Sequence, residues 1–111
     1  MSLTAPDVVY DLSPVGLGTF EGRVAMRAFF EEYWATFEDY ELELEETLVL
    51  GADVTLARLR QHGRLPGTSG FVELRYAAVT IWTDGLGERI TNYTDIDEAC
   101  AAAERLAQER G

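Results

Sequence analysis

Between Tyr40 and Thr94 the chain reads as strand with only three turn signals to interrupt it, and this meander restricts the fold more than any other feature. Tyr40 to Leu50 (YELELEETLVL) sets Leu42 and Leu44 between Glu41, Glu43 and Glu45, the period-two pattern of a half-buried strand with an acidic outer side. Gly51-Ala52-Asp53 turns the chain into Val54 to His62. Gly63 to Gly70 (GRLPGTSG) is a loop by its Gly and Pro content, and Phe71 to Trp82 returns as the hairpin partner. Asp84-Gly85, a dipeptide suited to a tight turn with positive φ, leads to a last strand at about Glu88 to Thr94. Strands joined in this way predict an antiparallel sheet.

Helices are predicted on either side of the meander. From about Gly22 to Phe37, Met26, Phe30, Tyr33 and Phe37 recur at helical spacing with Phe29 and Trp34 beside them, so one helix face is densely aromatic. Asp95 to Arg110 reads as a closing helix: Asp95 caps it, Asp97 and Glu98 place negative charge in the first turn, and Arg110 lies in the last. Asp7 to Leu12 is a short first strand ended by Ser13-Pro14, and Met1-Ser2-Leu3 reads as a cloning remnant. The fold class is therefore α+β, a curved antiparallel sheet packed against helices, in a single domain over residues 1–111.

Charge narrows the partners. A net charge of -11 opposes phosphate backbones and anionic lipid surfaces, so neither nucleic acid nor a membrane is expected, whereas hydrophobic small molecules remain open. No run approaches the roughly 18 apolar residues of a membrane span, and the N-terminus lacks a secretion-signal pattern, which places the chain in the cytoplasm. The lone Cys100 allows no internal disulfide or thiolate zinc cluster and is read as helix packing; no metal and no cofactor are expected.

If the Gly63–Gly70 loop closes the hairpin symmetrically, Arg60 lies opposite Glu73, and one face carries Arg58, Arg60, His62, Glu73 and Arg75. The other, inward face carries Thr55, Ala57, Leu59, Val72, Leu74, Tyr76, Ala78, Thr80 and Trp82. Folding the last strand back adds Arg89, Thr91 and Tyr93 to that inward face, with Tyr93 opposite Ala78. On the outward face, Val54, Leu56, Ala77, Val79 and Ile81 form an apolar patch that needs covering, and a homodimer stacking these sheet faces is expected to cover it.

In order and local motif the chain resembles the SnoaL-like and ketosteroid-isomerase-like branch of the nuclear transport factor 2-like superfamily. The resemblance rests on FEGRVAMRAFFEEYW (Phe20 to Trp34), RQHGR (Arg60 to Arg64) with Ser69-Gly70, VELRYAAVTIWTDG (Val72 to Gly85), and the spacing of Arg89, Tyr93, Asp95 and Ala99. It implies a cone-shaped, cystatin-like roll enclosing a ligand pocket, and pairing through the sheet's outer face. Such relatives usually carry a long helix before the first strand, which supplies an oxyanion-donating tyrosine; this chain has none there, and the position of a second oxyanion donor matches Ala78. Only the general base has a counterpart, Asp11.

Two functions follow. In the first, the chain is an isomerase-like or polyketide-cyclase-like enzyme that abstracts a proton beside the carbonyl of a hydrophobic ligand, with Asp11 as base and Tyr76 and Tyr93 as donors. In the second, it is a non-catalytic ligand-binding or dimerisation module of the same fold. Either way the ligand is expected against Phe29, Phe30, Tyr33, Trp34 and Phe37 of the helix and against Leu59, Leu74, Thr80, Trp82 and Thr91 of the sheet. The competing structural readings are a turn-forming Asp11, tyrosines each bound to a backbone acceptor, and an aromatic stripe that is plain core.

Overall fold

The computed structural model of the chain describes residues 4–51, 53–67 and 70–110, so Met1-Ser2-Leu3 lies outside the described residues. Strands β1 (Thr4–Asp11), β2 (Thr19–Glu21), β3 (Glu38–Leu50), β4 (Val54–Arg64), β5 (Phe71–Thr83) and β6 (Leu86–Tyr93) form one curved, open sheet in the order β2-β1-β6-β5-β4-β3. Helix α1 (Arg23–Ala35) follows β2, and α2 (Ile96–Arg110) follows β6. The meander is present as β3 to β6, every pair antiparallel. The sheet as a whole is mixed, because β1 runs parallel to β6.

Local chemistry sets the element ends. Asp84 (φ 51°) and Gly85 (φ 79°) both take positive φ, as a two-residue hairpin turn of matching twist requires. The Asp95 carboxylate caps α2, accepting the Asp97 N–H at 2.9 Å and the Glu98 N–H at 3.2 Å.

Register decides which side chains share a face. In the β4–β5 hairpin Arg60 pairs with Arg75 and His62 with Glu73, rather than Arg60 with Glu73. That slip is even, so the faces stay as expected. Between β5 and β6 the slip is odd. The Asp84-Gly85 turn starts the pairing symmetrically, but a bulge between Ile81 and Trp82 shifts it, so that Tyr93 pairs with Ala77 and Asn92 with Ala78. Arg89, Thr91 and Tyr93 therefore lie on the outer face, contrary to the sequence reading, and Ile90 and Asn92 take the inner one.

Both faces are covered by helices of the same chain. On the inner side Val8, Tyr10, Leu12 and Met26 are buried with Phe20, Phe29, Phe30 and Ile90 beneath α1. On the outer side Val54, Leu56, Ala77 and Val79 are buried against Ala99 and Ala103 of α2, with Leu50, Tyr93, Ile96 and Leu106 around them. The patch read as needing a second subunit is thus covered by α2, whose alanines bring the helix close to the sheet. Farther along the outer face, β3 and β4 exchange ion pairs, Arg60 with Glu43 at 3.0 Å and Arg58 with Glu46 at 3.7 Å, and His62 Nε2 lies 3.2 Å from a Glu41 carboxylate oxygen. Glu41, Glu43 and His62 converge to within 4.8 Å, and Arg60 neutralises Glu43 there. Among the described residues no helix is long and apolar enough to cross a membrane.

Leu56 is 1% exposed and Val24 is 85% exposed, which separates their expected costs. Leu56→Ala should cost about 2–4 kcal/mol by urea denaturation, and Val24→Ala no more than about 0.5 kcal/mol. Equal losses would contradict the packing of α2 on the sheet.

Candidate functional site

A cavity of about 180 Å³ lies between α1, the inner sheet face and the short 3-10 turn Ser13–Val15. Helical spacing brings Phe29, Phe30, Tyr33 and Trp34 onto one wall, where Phe29 stacks with Tyr33 and Phe30 with Trp34 one turn on. The sheet wall is Tyr10 from β1, Tyr40 and Leu42 from β3, Gln61 from β4, Leu74 and Tyr76 from β5, and Asn92 from β6. Leu17, Trp34, Leu42 and Leu74 line the cavity yet stay solvent-exposed, and so mark its mouth.

Of the residues expected from sequence, Phe29, Phe30, Tyr33, Trp34, Leu74 and Tyr76 meet here, and Phe37, Leu59, Thr80, Trp82 and Thr91 do not line the cavity. The Phe37 side chain lies instead on Gly63, where a Cβ would come 3.0 Å from the Phe37 Cβ and 3.2 Å from its ring. Leu59 keeps the inner face beside Tyr76, and Thr80 pairs with Ile90. The Trp82 indole N–H donates to the Thr55 hydroxyl at 2.9 Å, and Thr91 faces outward with Val79.

Asp11 and Tyr93 share a neighbourhood, but on the outer face. β1 pairs with β6 so that Tyr10 aligns with Ile90 and Asp11 with Thr91, which turns Tyr10 to the cavity and Asp11 away from it. The Asp11 carboxylate accepts the Ser13 N–H at 2.9 Å, the Ser13 hydroxyl at 2.6 Å, the Thr19 hydroxyl at 3.2 Å and the Arg89 guanidinium at 2.7 Å. Desolvation pushes its pKa up, but the Ser13 donors and Arg89 outweigh this and hold the carboxyl below its ordinary value. Burial and the Asp11 charge both raise the Tyr93 hydroxyl.

Within the cavity the polar side-chain groups are phenols, carboxamides, the Trp34 indole N–H and the Thr94 hydroxyl; among the described lining residues none carries a formal charge. Tyr40 donates to Gln61 Oε1 at 2.8 Å, Gln61 Nε2 donates to the Tyr33 oxygen at 2.5 Å, and Asn92 Nδ2 donates to the Tyr10 oxygen at 2.9 Å. The Tyr76 hydroxyl has no hydrogen-bond partner among the described residues, and neither does the buried Asn92 Oδ1. Burial, reinforced by neighbouring tyrosines, raises Tyr10 and Tyr76 well above the ordinary phenol range, so both stay protonated donors. The sequence reading missed Tyr10, Tyr40, Gln61 and Asn92. Gln61 shares strand parity with the inward Leu59 and was the one legible signal among them.

Residues 1–93 match the SnoaL-like domain family, and the chain belongs to that family. No curated protein matches it in sequence. Among solved structures it is similar to a ketosteroid isomerase-like protein from Catenulispora acidiphila in complex with trimethylamine: TM-score 0.73, 16% identity, 92% of this chain and 77% of that one. It is also similar to a SnoaL-like polyketide cyclase, so described, from Jannaschia sp. CCS1: TM-score 0.72, 17% identity, 93% of this chain and 74% of that one. A third neighbour is a polyketide cyclase, again so described, from Sinorhizobium meliloti: TM-score 0.65, 23% identity, 82% of this chain and 75% of that one. At these identities the likeness establishes the fold alone.

The donors around Asp11 fix a sign. A carboxyl whose folded pKa is depressed adds stability above its unfolded pKa, and that stability is lost as pH falls through the folded value. Asp11→Asn should therefore cost about 1–2 kcal/mol at pH 7, the exposed Arg89 end being screened, and wild type and variant should converge in acid. Carboxyl NMR should find Asp11 titrating below a model aspartate; a raised value would restore it as a base.

Proposed function

We propose that the protein binds a small, uncharged aromatic carbonyl compound in the tyrosine-lined cavity, and that the binding requires no general base in the cavity wall. The observation that carries this reading is that four of the chain's five tyrosines, Tyr10, Tyr33, Tyr40 and Tyr76, line one cavity in which no described lining residue carries a charge. Aromatic walls favour a flat apolar guest, and protonated phenols supply donors to an oxygen acceptor on it. An ionised ligand finds no counter-charge there.

Volume supports a small guest. An apolar cavity of about 150 Å³ accommodates benzene, so 180 Å³ suits one substituted ring, and anything larger must project through the mouth between Leu17 and Leu74. The geometry favours the binding module over isomerase or cyclase acid–base chemistry, because the one carboxylate proposed as base is committed to Ser13 and Arg89 across the sheet from Tyr76. A single cysteine, with no internal disulfide open to it, suits a reducing cytoplasmic setting.

The test follows Trp34 fluorescence in a Trp82→Phe background, which leaves the cavity tryptophan alone. Acetophenone should quench it saturably, with ethylbenzene, the shape mimic lacking the carbonyl, about tenfold weaker, the worth of roughly one hydrogen bond. Tyr76→Phe should weaken acetophenone about three- to tenfold, and Asp11→Asn should leave its affinity unchanged. Equal affinity for the two probes, or loss of binding in Asp11→Asn, would sink the reading.

A further inference from the structure

Resting on that reading, we propose that Gln61 is a positioning residue: it directs the hydroxyl proton of Tyr33 into the cavity, so the site selects ligands that present a hydrogen-bond acceptor, a carbonyl oxygen above all, to Tyr33.

Gln61 sits on β4 with only 8% of its surface exposed and touches two phenols from different elements, Tyr40 at the start of β3 and Tyr33 on α1. A carboxamide offers an acceptor at one end and a donor at the other, so two hydroxyls bound to one amide cannot be equivalent. Tyr40 gives its proton to Oε1. Tyr33 receives the Nε2 proton on its oxygen, and its own O–H is left without a partner among the described residues.

The donors therefore run one way, from Tyr40 to Gln61 to Tyr33, and end at the cavity. Each donor in such a chain polarises the next, so the terminal O–H is a better donor than an isolated phenol. A second carboxamide repeats the arrangement, since Asn92, 7% exposed, donates to the Tyr10 oxygen and leaves the Tyr10 proton uncommitted. The buried amides together leave phenol protons free at the wall, which favours a guest that bears an oxygen acceptor over a hydrocarbon of the same shape.

The test is Gln61→Glu in the full chain, read by the same fluorescence titration across pH. An ionised carboxylate has acceptors only, so it draws the protons of both Tyr33 and Tyr40, and acetophenone should bind about tenfold more weakly than to wild type while ethylbenzene is unaffected. Protonation restores one donor and one acceptor. Acetophenone affinity should therefore recover as pH falls through the pKa of the introduced carboxyl, a dependence wild type lacks. Equal loss of both probes at all pH values, or no loss at all, overturns the role of Gln61 alone. Should wild type fail to discriminate between the probes, the proposed function falls instead, and ligand-free NMR still decides the orientation. The Tyr40 hydroxyl proton should exchange slowly and show a nuclear Overhauser effect to Gln61; that behaviour at the Tyr33 proton would overturn the assignment.

Discussion

The register between β1 and β6 is the constraint on which the rest of the molecule depends. Parallel alignment of Tyr10 with Ile90 and Asp11 with Thr91 separates two adjacent residues by the thickness of a sheet. Tyr10 joins the cavity and receives the Asn92 amide, while Asp11 meets Arg89 on the far side. Each contact ties the same two strands from an opposite face, so a slip of one residue would break both at once and expel Val8 from its place beneath α1. β1 also carries β2, and the chain leaves β2 into α1, so this register places the aromatic helix over the sheet as well.

A second consequence is electrostatic segregation. The chain carries a net charge of -11, yet among the described residues the cavity wall has no charged side chain. Strand alternation accomplishes this: on β3 the glutamates point outward to Arg58, Arg60 and His62 while Leu42 points inward, and on β4 Gln61 points inward between the outward Arg60 and His62. With charge kept to the outer face, the phenols sit in a weakly polar environment in which they remain protonated and their hydrogen bonds count for more than in water.

The fold was largely legible because its signals are local. The aromatic helix, the acidic strand, the long hairpin, the Asp84-Gly85 turn and the Asp95 cap each lie within a few residues of the feature they determine. The site was half legible for the same reason. Phe29, Phe30, Tyr33 and Trp34 follow from helical spacing, and Leu74 and Tyr76 from strand parity, but the β6 residues were assigned to the wrong face because one bulge at Ile81 and Trp82 reverses parity for everything beyond it. Nothing in that stretch marks a bulge before the pairing is seen. Tyr10 was hidden for another reason: its neighbour Asp11 carries the more conspicuous chemistry, and only the parallel pairing with a distant strand shows which of the two faces in. Gln61 is a polar residue in an inward position, a conflict of pattern that sequence reasoning passes over and that structure resolves as a hydrogen-bond junction.

The outer apolar patch illustrates how one local rule admits two solutions. Val54, Leu56, Ala77 and Val79 demand cover, and a second subunit and a helix of the same chain satisfy that demand equally well. What decides is the helix that follows. α2 begins directly after β6 at the Asp95 cap and presents Ala99 and Ala103 to the sheet, a face narrow enough to seat closely on Leu56 and Val79. Intramolecular cover needs no second chain and loses no translational freedom, so it holds at any concentration. α2 lies beyond the residues that match the SnoaL-like family, so the helix that covers the outer face follows the matched segment in the chain.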